Sequence, residues 1–164
     1  MIPRFRLLAE RIRNELSTLD EVVARAEGAL SHTANQGEDS VYFISAAALD
    51  LHGFYAGLER LFELITTEVD ESRPTGSQWH RDLLAQMALG IPDLRPPVIS
   101  NETRDALREY LEFRHIVRNV YTFNLRSERV IELVRSLRNS YDLVQNDLLA
   151  FARFLDQLST ADES

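Results

Sequence analysis

Apolar residues recur along this chain at steps of three and four. In the first segment Phe5, Leu8, Ile12, Leu16, Leu19, Val23, Ala26 and Leu30 keep that spacing, which lines them up on one side of an α-helix. The pattern stops in the polar stretch 33–39, where Gly37 is the expected breaker. A second helix follows, with Ile44, Ala48, Leu51, Tyr55, Leu58, Phe62, Ile65 and Val69 as its stripe and Ser40 or Asp39 as its N-cap. Ala46, Ala47, Ala48, Gly53 and Gly57 make one face of it small, so another helix can come close. Pro74 and Gly76 mark a loop, and a short helix is predicted over about 79–87. Gly90, Pro92, Pro96 and Pro97 form a connector that cannot be regular helix. Ser100 caps a fourth helix carrying Leu107, Leu111, Ile116, Val120 and Phe123, which breaks near 124–127. The last helix holds Val130, Leu133, Leu137, Tyr141, Val144, Leu148, Phe151, Leu155 and Leu158, close to a coiled-coil seam. No alternating strand pattern competes. The expectation is an all-α helical bundle of four long helices plus one short one. It forms a single domain over 1–160, with a disordered tail over 161–164.

Composition narrows the chemistry. At 164 residues and 45% hydrophobic, the chain can bury a core. There is no cysteine, so disulfides, thiol nucleophiles and thiolate metal sites are excluded. All 18 basic residues are Arg, a bias in keeping with genomic base composition. It removes lysine Schiff bases and the lysine of a phosphate-binding loop. The net charge of -8 gives no global argument for nucleic-acid binding. No targeting segment and no apolar run of about 20 residues is visible. The protein is therefore expected in the cytoplasm and away from membranes.

Positive charge is nevertheless concentrated in one place. Between Arg114 and Arg138 there are six Arg and only two acids, Glu128 and Glu132. In the string Phe113-Arg114-His115-Ile116-Val117-Arg118-Asn119-Val120-Tyr121, Arg114, Arg118 and Tyr121 share one helix face, and His115 and Asn119 a neighbouring strip. Paired guanidinium forks suit phosphate, and imidazole exchanges protons near neutral pH. Such a set could position a phosphodiester and activate a ribose hydroxyl. An Arg pair one turn apart is also the ordinary make-up of a solvated helix face, with Glu109 and Glu112 as near partners. Glu59 and Glu63, one turn apart on the second helix, are expected to reach across and orient the Arg pair, unless they are plain surface charges. His52 and His80 read as ordinary hydrogen-bonded histidines, His32 as a surface residue and Trp79 as a packing anchor. Their spacings give no metal signature, and no metal or cofactor is expected.

The same string resembles HEPN domains of the HepT-like group, in which an Arg, four to six variable residues and a His lie on a late helix. In that group a Tyr follows two residues after the His. Arg114 matches the Arg, Tyr121 matches the Tyr, and Asn119 stands where the His belongs. The resemblance extends to Leu51-His52-Gly53-Phe54-Tyr55, to Glu59 and Phe62-Glu63, and to Trp79-His80 before Leu83-Leu84. It implies the toxin of a toxin–antitoxin pair: a metal-independent endoribonuclease acting on RNA as a homodimer. The implied partner is a nucleotidyltransferase antitoxin of the MNT type, which adds AMP to the motif Tyr, here Tyr121. On this reading Arg114 and Arg118 bind phosphate, Asn119 positions it, and His115 supplies the base. Asn119 has no titratable group in the useful range, so the alternative is a catalytically degenerate module that dimerises and binds a partner. A second alternative is a nucleotide-binding module serving the nucleotidyltransferase.

Overall fold

The computed structural model describes residues 3–33, 37, 39–119 and 126–161, with 118 and 119 by backbone only. Five α-helices form among them: α1 Pro3–Thr33, α2 Ser40–Ile65, α3 Trp79–Met87, α4 Asn101–Asn119 and α5 Ser127–Ala161. No described residue lies in a strand; an isolated bridge joins Ile91 to Arg95 in the connector. The chain is thus an all-α bundle.

Cross-helix contacts fix the directions. Arg4 reaches Glu71, Arg60 reaches Glu15 and Arg25 reaches Asp50, so α1 and α2 are antiparallel. Arg13 pairs with Asp156, and Arg138 with Asp20 and Glu27, so α1 and α5 are antiparallel too. Tyr110 bonds to the carbonyl of Leu133 and Thr103 to Asp147, which sets α4 against α5 in the same manner. Phe54 meets Tyr110 and Glu59 meets Arg114 where α2 and α4 cross. Between them in sequence, α3 and its Pro-rich connector make the crossing from α2 to α4. That crossing lays α3 across the pair α2 and α4, where the candidate chemistry lies.

The predicted stripes form the core. Leu8, Ile12, Leu19, Leu51, Leu58, Phe62, Leu107, Leu137, Leu148 and Leu155 are all buried. The small face of α2 divides. Ala47 and Ala48 enter the core, and a Cβ on Gly57 would meet Glu15 Oε1 at 2.7 Å and Leu19 Cδ2 at 2.9 Å. Gly57 therefore lets α1 approach. Ala46 and Leu49 stay exposed, and a Cβ on Gly53 would meet open space. The stretch Ser40–Asp70 does have the length and apolarity of a membrane span, contrary to the sequence expectation. Leu51, Phe54, Leu58 and Phe62 nevertheless face the bundle interior, as they do in the central helix of a core.

Some boundaries differ from expectation. The second helix widens into a π-helical turn over Thr66–Asp70 and stops at Glu71, whose φ of 54 is left-handed. Asp39 holds the N-cap position of α2 without a side-chain bond, and Ser40 N bonds instead to the Gly37 carbonyl. Ser100 is a true cap, its Oγ accepting from Thr103 N at 3.1 Å. Ser127 already belongs to α5, which runs on through Ala161 into the expected tail. Positions 124 and 125 of the predicted break lie outside the described residues, as do Val120 and Phe123 of the predicted fourth helix and 162–164.

Two core tyrosines make the fold sensitive to alkali. The Tyr110 hydroxyl donates to Leu133 O at 2.9 Å, and that of Tyr141 to Leu16 O at 2.8 Å. Burial pushes each hydroxyl up to about 12. An unfolded tyrosine releases its proton near pH 10, so between these values the unfolded chain binds fewer protons than the folded one. Stability is then level up to about pH 10 and falls above it. The Tyr110 contribution alone amounts to roughly 3 kcal/mol by about pH 12. Urea midpoints at about pH 8 and about pH 11 should show the loss, reduced in Tyr110→Phe; equal midpoints in the parent would contradict it.

Candidate functional site

Glu59 is the centre of the site. It follows Tyr55 by one turn of α2 and is only 4% exposed. A carboxylate so buried costs several kcal/mol unless charge and hydrogen bonds meet it. Two groups from two other helices do. Arg114 Nη1 on α4 pairs with Oε1, and His80 Nδ1 on α3 lies 2.8 Å from Oε2. Glu59 thereby ties α2, α3 and α4 together at one point. Tyr55, fully buried beside them, has its hydroxyl held well above the usual phenol range, first by burial and then by the Glu59 charge, with Arg114 opposing.

The rest of the cluster follows from helix phase. Arg114 faces α2, while its neighbour His115 is turned towards α3. The His115 and His80 rings meet edge to face with centroids 5.3 Å apart. Trp79 stacks on His80 with centroids at 3.6 Å. One Glu, one Arg and two His thus gather where three helices converge. Arg114 Nε is buried and has no acceptor among the described residues, an unsatisfied donor of the kind that functional sites retain.

The other residues singled out in the sequence fall in different places. Arg118 and Asn119 stand on the last turn of α4, their side chains outside the described residues, and Tyr121 lies wholly outside them. Glu63 does not join the cluster: it faces Arg73 at 3.7 Å, because one turn beyond Glu59 the helix meets the loop before α3 rather than α4. The six-Arg segment is also less free than its spacing implies. Arg129 pairs with Glu109 and Glu132, and Arg138 with Asp20 and Glu27. His32 is exposed and stacks on Phe43. Among the described residues no group of three His, Asp or Glu side chains is arranged to hold a metal ion. The residue that sequence reading undervalued is His80. A signal was present: His80, Leu83, Leu84 and Met87 share one face of α3, and the last three are core, so the imidazole had to point inward.

A family model described as HepT-like protein matches residues 46–155, most of the chain. The chain belongs to the HepT-like family. The matched span of this HepT-like chain begins in α2 and ends in α5, so Glu59, His80, Arg114 and His115 all lie inside it, and α1 lies outside. No curated protein and no solved structure matches the chain.

The geometry alters what the cluster can do. Arg114 enters the site already paired with a buried carboxylate, so its charge is locally neutralised. Among the described residues, attraction for an anion then depends on the protonation of His80 and His115. Proton transfer is available from the two imidazoles, one of which is oriented by a carboxylate.

Proposed function

We propose that this HepT-like protein is the toxin component of a toxin–antitoxin pair, a metal-independent endoribonuclease acting in the cytoplasm as a homodimer. Its partner is an MNT-type nucleotidyltransferase that silences it by adding AMP to Tyr121. The observation that carries the reading is Glu59 bridging His80 and Arg114 beside His115: a buried ionic cluster of catalytic residue types that joins two other helices to the one bearing the family motif. Buried ionisable groups paired with one another gather at functional sites more than elsewhere. Ile116, next to His115 on α4, is 51% exposed, an apolar side chain that a second protomer would cover. A mass of one 18.8 kDa chain in solution would count against the dimer.

Asn119 favours a second reading, a partner-binding module that has lost catalysis. Incubation of the purified protein with single-stranded RNA separates the two. Slow cleavage is expected, because the motif position lacks a proton-transfer group. RNA binding should weaken with salt as phosphate contacts release counterions. Arg118→Ala should flatten the slope of log affinity against log salt by about 0.7 for a single strand. RNA left intact at high protein concentration would support the module; an unchanged salt slope would place the RNA elsewhere.

A further inference from the structure

Asn119 leaves the family motif without its proton-transfer group, and the fold brings a different imidazole, from a different helix, to Glu59 and His115. We propose that His80 is a catalytic residue of this site, the general base, with His115 as its general acid. This rests on the endoribonuclease reading above and deepens it.

Three observations fix the His80 ring. The Glu59 carboxylate only accepts hydrogen bonds when ionised, so the 2.8 Å contact with Nδ1 places the proton on that nitrogen. The neutral ring then carries its lone pair on Nε2. Glu59 cannot swing away, because it is buried and paired with Arg114. Trp79 stacks on the ring at 3.6 Å, which limits its rotation. Nε2 itself has no hydrogen-bond partner among the described residues, and the His80 side chain is 12% exposed. A histidine serving only to satisfy Glu59 would need neither that outlet nor a second imidazole beside it. A carboxylate that sets the tautomer of an imidazole, leaving the far nitrogen to act, is the arrangement a general base requires.

The step that follows is a transesterification. Nε2 of His80 takes the proton of a ribose 2′-hydroxyl as the 2′-oxygen bonds to the adjacent phosphorus. The bond from phosphorus to the 5′-oxygen breaks with its electron pair on oxygen. That oxygen takes a proton from the His115 imidazolium. The products are a 2′,3′-cyclic phosphate and a 5′-hydroxyl. His80 ends protonated and His115 neutral, solvent exchange restores both, and nothing is oxidised or reduced. The 5.3 Å between the rings places both proton carriers at one phosphodiester. The substrate must accordingly be RNA with a free 2′-hydroxyl at the cut.

The test uses the full chain and a single-stranded RNA, with kcat/KM measured across pH. The parent should give a bell-shaped profile. His80→Ala and His80→Asn, the latter keeping an amide for Glu59, should each lower the rate by about a hundred- to ten-thousand-fold. Both should lose the acidic limb that reports the base, and free imidazole should restore part of the His80→Ala rate, whereas His32→Ala should behave as the parent. A DNA strand of the same sequence should remain uncut. Parental cleavage that persists in both His80 variants with its acidic limb intact would overturn the role of His80 and leave the endoribonuclease reading standing. Lost cleavage without imidazole rescue and with the limb retained would mean that His80 only holds Glu59. A parent that leaves RNA intact would remove both readings together.

Discussion

Replacing Arg95 by Met is expected to destabilise the protein by about 3–5 kcal/mol, the range for removing one member of a buried ion pair. Arg95 sits in the Pro-rich connector with its side chain wholly buried. Its Nε and Nη2 bond to the two oxygens of Asp70 at 2.6 and 2.9 Å. Its Nη1 donates to the carbonyls of Leu89 and Pro96, and Nη2 also to that of Gln86. Gln86 adds a bond to Asp70. This network ties the π-helical turn after α2 to the end of α3 and to the connector. Without the guanidinium, Asp70 remains as a buried charge with only Gln86 as partner. In the double variant Arg95→Met/Asp70→Leu the charge penalty disappears, but the carbonyls of Leu89 and Pro96 still lack donors, at about 1 kcal/mol each. The double variant should therefore recover only part of the loss. Trp79 is the sole tryptophan and sits on α3, so its fluorescence in urea reports the element that the network holds. A midpoint for Arg95→Met equal to that of the parent would show that the network contributes nothing net.

Asn119→His is expected to raise RNA cleavage by about a hundredfold, the lower part of the range for a positioned proton-transfer group. The backbone of α4 is regular to its end at Asn119, so a His there would stand one turn beyond His115 on the same strip. It would add to the cluster without displacing Glu59 or Arg114. The gain should persist in His80→Ala, since the new imidazole would act as an independent base. An intact fold with no gain would favour the partner-binding module, with more than one function lost from the cleft.

Much of the fold was legible in the sequence. Periodicity placed α3 at Trp79–Met87, and Ser100 stood ready as a cap for α4, because both signals are local. The end of α2 was less legible. Its apolar stripe continues to Val69, but Asp70 is drawn to Arg95, 25 residues further on, and the helix ends in a π turn. Nothing in the local sequence singles out Arg95, since the Pro residues around it say only that the backbone is irregular. Fold and family membership followed from patterns within single elements and from the family motif.

The sequence alone determined the all-α class, the one short helix among long ones, and the presence of Arg114 and His115 together on a late helix. Only the tertiary structure decided that Glu59 and not Glu63 meets Arg114, and that His80 shares the carboxylate. The physical reason is the direction of the helices. Spacing fixes which residues share a face of one helix, whatever the helix meets. Which face meets which depends on where α2 and α4 cross, and on α3 packing against both. That arrangement is set by packing summed over the whole core, so no local pattern encodes it.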